Sequence, residues 1–300
     1  MTFSSNVRCA LICAVVAQIS LGSSLSVKAQ EPGSALRKPV HRVANRPERN
    51  AEIAKPQPGH PLDPAIRLAR HGLSHIQANI HDYNTTMVKR ERVDGELTGV
   101  EFIYMKIRNR KFDQSGKEIV PFSVYSKHLK PSNKKGQEAI WIEGHNDNKI
   151  VAHGSGPIRG KIKVKIDPNG TLAMKDNRYP ISDAGMENLC KMLMDKGLDE
   201  RKYPECEVKF YKDAKINGRK CLLIEMRHPV QRPHFEWTLA RVYVDEELQI
   251  PIRFASWGFP ETAGGKPLLL EEYTYTNLKL NVGLTDADFD PDNPNYAYPY

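Results

Sequence analysis

Between Asp63 and Ile80 the apolar residues Ile66, Ala69, Leu73, Ile76 and Ile80 recur at spacings of three and four. This is one stripe on a helix of about five turns, with Asp63 at the N-cap and Pro64 at the first helical position. After Asp82 the period changes to two. Tyr83–Val93, the turn Asp94-Gly95 and Leu97–Arg108 predict a hairpin. Its second strand places Ile103, Met105 and Ile107 on one face, and Phe102, Tyr104, Lys106 and Arg108 on the other. Further strands are predicted at 122–130, 137–143, 149–153 and 161–166. The last alternates most clearly, with Ile162, Val164 and Ile166 inward and Lys161, Lys163 and Lys165 outward. A second helix opens at Ile181-Ser182-Asp183, buries Met186, Leu189, Cys190, Leu193 and Met194, and finds a C′ glycine in Gly197. Strands follow at 206–212 and 219–228, joined by Asn217-Gly218, then at 238–245, 250–257 and 268–280. About eleven strands with hairpin-length turns and two or so helices define an α+β chain with a mostly antiparallel sheet. No repeat of fixed period is present.

The ends of the chain lack this patterning. Arg8 precedes an apolar run from Cys9 to Leu21, and Val27-Lys28-Ala29 offers a small-x-small cleavage site. This predicts a signal peptide over residues 1–29, cleaved near Ala29, and hence a periplasmic or secreted protein. The run is too short to span a bilayer and is broken at Gly22, so no stable transmembrane span is expected after processing. From Gln30 to His60 five prolines recur among Arg37, Lys38, Arg42, Arg46, Arg49 and Lys55 with nothing to bury, the pattern of a flexible basic spacer. One β-rich domain over residues 61–290 and a C-terminal tail over 291–300 complete the predicted organisation.

Charge adds little. The chain carries 44 basic and 36 acidic side chains in 300 residues, a net charge of +8. The leader holds two of the basic residues, Arg8 and Lys28, and the spacer has three more basic than acidic side chains. The small excess left on the domain gives no basis for nucleic-acid binding. Lys89-Arg90-Glu91-Arg92 is the exception. Alternation places Arg90 and Arg92 on one face, and Lys106 and Arg108 on the polar face of the next strand, so a basic rim is predicted for phosphate or carboxylate groups at a cavity mouth. Export leaves Cys190, Cys206 and Cys221, and an oxidising compartment favours one disulfide among them. Simple hairpin register sets Cys221 opposite Ala214 and Cys206 opposite Pro229, and leaves the pairing open.

Catalytic and metal motifs fail on spacing. His145, Asp147 and His153 sit at turn-forming Asn146-Asp147-Asn148, and no HExxH is present. Asp286, Asp288, Asp290 and Asp292 resemble the start of a calcium loop, but Pro291 and Ala297 occupy the positions needing Gly and Glu. A solvated acidic end is expected there. Gly154-Ser155-Gly156 lacks the nucleophile-elbow spacing. No cofactor and no enzymatic activity are expected; a pocket holding paired ionisable groups would reopen a hydrolytic reading.

Six segments carry a resemblance. Thr86–Gly95, Pro121-Phe122-Ser123-Val124-Tyr125, Asp167-Pro168-Asn169-Gly170, Asn177-Arg178-Tyr179-Pro180-Ile181, Tyr243-Val244-Asp245 with Ile250-Pro251-Ile252-Arg253, and Glu272-Tyr273-Thr274-Tyr275-Thr276-Asn277-Leu278 resemble a family of secreted bacterial proteins classed as a domain of unknown function. The resemblance runs from about Asp63 to Tyr296. The order of elements also resembles the lipoprotein-carrier fold of LolA, LolB and the sensor RseB. That resemblance implies a curved half-barrel sheet wrapped around helices and an apolar cavity. Met105, Ile107, Phe122, Trp141, Ile252, Phe254 and Tyr275 are its candidate lining, and the family supplies no catalytic residue to transfer. The expected function is a non-enzymatic exported envelope protein binding a lipid, lipoprotein or other apolar ligand. The alternative is a module that binds an envelope protein or anionic polymer.

Overall fold

The computed structural model of the chain describes residues 59–262 and 264–299. The leader, its cleavage site and the spacer up to Pro58 lie outside the described residues. Helix α1 spans Asp63–Asn79. Strands β1 (Asp82–Val93), β2 (Glu96–Leu97) and β3 (Glu101–Arg108) follow, then β4 (Lys111–Phe112), β5 (Glu118–Val120) and β6 (Ser123–Lys130). Next come β7 (Glu138–Ile142), β8 (Ile150–His153) and β9 (Lys163–Ile166), and, after one-turn helices at Gly156–Arg159 and Thr171–Met174, helix α2 (Met186–Glu200). The chain continues through β10 (Glu207–Ile216), β11 (Arg219–Arg227), β12 (Leu239–Asp245), β13 (Pro251–Gly258) and β14 (Leu268–Leu280).

One curved, open antiparallel sheet takes the order β10-β11-β12-β13-β14-β1-β3-β6-β7-β8-β9, with β2 added to β1. β4 and β5 form a separate two-stranded ribbon. First and last strands meet at the centre, so β14 and β1 tie the two halves together. The turns Asp94-Gly95 and Asn217-Gly218 have positive φ at both residues, as two-residue hairpins with native twist require.

α1 and α2 lie together on the concave side of the β10–β13 half. Two glycines let them approach. A Cβ on Gly197 would stand 2.9 Å from Ile66, and one on Gly72 would stand 3.4 Å from Cys190 Sγ. Gly197 is thus a packing residue inside α2, which runs one turn beyond the stop expected there. Leu62, Ile66, Ile76, Met186 and Cys190 bury against Ile224, Val242, Ile252 and Phe254 in the main core. A void of only about 50 Å³ remains beneath α1.

The C-terminal residues are also ordered on the sheet, on its convex side. After a 3-10 turn at Asp286–Phe289, the chain lays Tyr296 flat on Tyr125, with ring centroids 4.1 Å apart. The Tyr298 hydroxyl donates to the Val151 carbonyl at 3.0 Å. Tyr125, Ile140, Val151, Phe289 and Tyr298 form a second apolar cluster. The acidic end expected from the sequence is solvated at Asp286, Asp290 and Asp292, and it is also fastened to the sheet. Asp286 pairs with Arg108 and Asp288 with Lys106, each at 2.7 Å, so this segment is a strap held by charge and by stacked tyrosines.

Candidate functional site

The other half of the sheet is not filled. Over β1, β3 and β6–β9 the concave face encloses a cleft of about 1110 Å³, covered on the far side by residues 172–199. Its floor is largely apolar: Met87, Ile103 and Met105 come from β1 and β3, and Ala139, Ala152 and Val164 from β7, β8 and β9, while β6 between them contributes Ser126 and His128. Register explains why they converge. Met87 faces Ile103 across β1–β3, and Ala139 faces Ala152 faces Val164 across β7–β9, so each set shares one face. Leu189 and Met192 of α2 close the roof beside Tyr275. Two alanines stand where larger side chains would occupy the space, which keeps this region hollow.

One end of the cleft is polar and built from buried charges. Lys89 and Glu91 reach it from β1, and Tyr273 from β14. Glu91 and Glu271 stand directly opposite across β1–β14 and are 2% and 4% exposed. The Tyr273 hydroxyl bridges them, donating to Glu91 and lying 3.2 Å from Glu271. Lys89 Nζ donates to Glu91 at 2.9 Å and to Asn177. Ser256 donates to Glu271 at 2.8 Å and Tyr179 at 3.4 Å. Arg178 completes the group, its backbone N–H on Glu91 at 3.3 Å and its guanidinium 3.7 Å from Glu271. Burial raises the Glu271 carboxyl above the usual carboxylate range, against the pull of Ser256 and Arg178. Burial, then the Glu91 charge, raises the Tyr273 phenol. Behind the wall residues Lys89, His128 and Lys134, burial opposes ionisation of Glu101, yet these three together hold its carboxyl down to about 2. The arrangement fastens residues 176–179 to the sheet and leaves the cleft with balanced charge at this end.

The candidate lining divides in two. Met105 and Tyr275 line the cleft. Ile107, Phe122, Trp141, Ile252 and Phe254 do not; they belong to the packed core, which corrects their expected exposure to a ligand. Ile107 lies under Gly185 at the start of α2, Phe122 packs edge-on against Trp141, and Ile252 and Phe254 lie in the half the helices fill. The lining that sequence reasoning missed, Met87, Ala139 and Ala152 among it, follows from the same alternation. What the alternation lacks is the position of α2 over one half.

The basic rim is also corrected. Arg90, Arg92, Lys106 and Arg108 share the convex face, away from the cleft. The strap's aspartates neutralise Lys106 and Arg108, while Arg90 donates to the Thr98 carbonyl and Arg92 to those of Leu269 and Gly95. Lys89 and Glu91, their neighbours on the other face, are the residues that enter the cleft.

The expected disulfide is absent, because Cys190, Cys206 and Cys221 are all free and buried. Cys221 faces Ala214 as register predicted, but a bulge between Tyr211 and Ala214 shifts the far end of that hairpin by one residue. Cys206 precedes β10 at that far end, about 20 Å along the strand from Cys221 by strand rise, and Cys190 lies on α2 against Gly72. Burial raises all three thiols to about 12. His145 is exposed and His153 is buried against Tyr298, so the pair is not brought together. No cluster of three or more side chains able to hold a metal occurs among the described residues.

The fold itself defines the class, that of an open antiparallel sheet wrapped on helices. The model of the DUF1571 family, described as a protein of unknown function, matches residues 80–298, and the chain belongs to that family. This agrees with the motif string. Proteins of curated function give no match. Among solved structures the chain is similar to a DUF1329 family protein from Desulfovibrio piger, at 12% identity and TM-score 0.37 over 77% of this chain and 98% of that one. It is similar to MucB in the Pseudomonas aeruginosa MucA/MucB complex, at 13% identity and TM-score 0.38, covering 76% of this chain and 60% of that one. A LolA superfamily protein from Nitrosomonas europaea matches at 8% identity and TM-score 0.29, over 74% and 97% of the two chains.

Proposed function

We propose that the protein is a non-enzymatic, exported envelope protein that holds an apolar or lipidated ligand in the cleft of its hollow half. The observation that carries this reading is the cleft of about 1110 Å³ with an apolar floor, set beside a half that helices fill. Ligand pockets run from about 300 to 1,000 Å³, so a long apolar chain has room. Met87 and Met105 on the floor and Met192 on the roof give the cleft polarisable side chains that adapt to more than one chain shape. Export rests on the leader read in residues 1–29. No helix among the described residues is long and apolar enough to cross a membrane.

The cleft does hold paired ionisable groups, which bears on a hydrolytic alternative. Each carboxylate is occupied internally. Glu91 accepts from Lys89, Tyr273 and the Arg178 backbone, and Glu271 accepts from Ser256 and Tyr179. Neither is free to activate water; Ser126 and His128 also line the cleft, but Ser126 donates to the Ala139 carbonyl and His128 pairs with Glu101 rather than with Ser126. The group is read as structural. Native mass spectrometry of the purified protein, followed by solvent extraction, tests the binding reading. A released lipid or acyl species in stoichiometric amount is expected; an empty protein that also fails to take up added hexadecanoic acid would refute it.

A further inference from the structure

The hollow half ends in an edge that combines exposed apolar side chains with basic ones. Residues Gly156 to Lys175 comprise the two one-turn helices with β9 between them, and β9 is the last strand of the sheet. Three large apolar side chains project there into solvent: Ile158 at 74% exposure, Leu172 at 68% and Ile162 at 51%. Ile162 and Leu172 are also part of the cleft wall, so their exposed tips stand at its mouth. Around them Arg159, Lys161, Lys165 and Lys175 are exposed, as is Lys163, which pairs with Asp292 at 3.2 Å; the stretch itself holds one acid, Asp167.

Lysines on an edge strand have an ordinary use, which is to stop it pairing with another chain. That accounts for Lys161, Lys163 and Lys165. It does not account for apolar tips on the two flanking turns, which edge protection would make polar. Single exposed apolar residues need no explanation, but two on the wall of an apolar cleft, with a third on the same edge, do. The combination suits the boundary between headgroups and acyl chains. Apolar tips enter the acyl layer, ammonium groups meet phosphates, and the long lysine stems bridge the two depths.

We propose that the edge from Gly156 to Lys175 docks on an anionic phospholipid bilayer and sets the cleft mouth against its acyl layer. The inference rests on the lipid-binding reading of the cleft. Charge complementarity selects an anionic partner, and the apolar tips select a bilayer over a polyanion, which has nothing for them to enter.

The test uses the full chain and flotation with vesicles of phosphatidylcholine alone or mixed with phosphatidylglycerol. Ile158→Ser with Leu172→Ser removes two exposed tips without touching the core, and should weaken binding to the mixed vesicles about tenfold or more. Lys161→Gln with Lys165→Gln should weaken it by about tenfold for the mixed vesicles and little for the neutral ones. Lys209→Gln with Lys212→Gln, the same charge change on the opposite edge strand, should leave it within about twofold. Serine variants that bind like the parent would overturn the proposal. So would binding that deletion of residues 30–58 alone abolishes, or equal binding to dextran sulfate that the serine pair leaves intact. Hexadecanoic acid titrated without vesicles separates the two readings. A parent that takes the fatty acid but ignores vesicles refutes the docking edge only, and one that takes neither refutes both.

Discussion

The two halves of this sheet share one strand pattern and differ in what lies on it. Over β10–β13, α1 and α2 press Ile66, Ile76 and Cys190 into the sheet and leave about 50 Å³ unfilled. Over β3 and β6–β9 the same alternation faces a cleft of about 1110 Å³. Inward apolar residues therefore do not say whether a sheet is a core or a container. Helix placement decides it, with residue size at a few positions such as Ala139 and Ala152.

The comparison is broken most forcefully by large-to-small changes. Ile76→Ala, in the filled half, should cost about 3–4 kcal/mol in urea unfolding, because its neighbours cannot collapse onto the space. Val164→Ala, which borders open volume, should cost less than about 1 kcal/mol. Equal losses would mean that the hollow half is packed.

Titration separates the halves next. Glu200 ends α2, 3.6 Å from His228, and burial pushes its carboxyl up to about 7, relieved in part by Lys196. Burial lowers the imidazole of His228, whose Nδ1–H donates to the Trp237 carbonyl. The raised carboxyl binds its proton more tightly in the folded state. Stability from this group therefore falls as pH rises from about 4.5 to about 7, by up to about 3 kcal/mol. Glu200→Gln should raise stability at about pH 8 and change it little at about pH 4. Glu101, paired with His128 and Lys134 of the cleft wall, has the opposite sign. Its carboxyl is held down to about 2, so its contribution is complete above the unfolded value near 4.5 and is lost as pH falls toward 2. Glu101→Gln should weaken the protein at neutral pH and leave it unchanged at about pH 2. Chemical denaturation across pH reads both.

Overpacking sharpens the contrast. Ala240 is buried beneath the helices, and Ala240→Leu should cost about 1–3 kcal/mol. Ala152→Leu, into the cleft, should stay within about 0.5 kcal/mol. The smallest effect belongs to the convex face. Tyr298→Phe removes the hydroxyl that donates to Val151 and should cost about 1 kcal/mol. A change no larger than at an exposed tyrosine would mean that the strap is not held.

Much of the fold was legible in the sequence. Most strand boundaries fell within one or two residues, since period-two patterning and the turns Asp94-Gly95 and Asn217-Gly218 are local signals. What the pattern missed depends on distant parts. The pairing of exposed Asp286 with Arg108, and of Asp288 with Lys106, joins segments far apart in the chain and leaves no local mark. Arg90 and Lys89 were assigned correctly to opposite faces, but which face is concave depends on where the helices cross. Ile252 and Phe254 were rightly inward and wrongly lining for the same reason. The bulge between Tyr211 and Ala214 carries no sequence mark, and it moved Cys206 by one position.

The most direct test of the hollow half is a titration of hexadecanoic acid into the parent protein and into Ala139→Phe with Ala152→Leu, followed by calorimetry. Saturable binding to the parent, weakened about tenfold or more in the filled variant at unchanged folding stability, is the expected result. Undiminished binding by that variant, or no binding by the parent, would contradict the account.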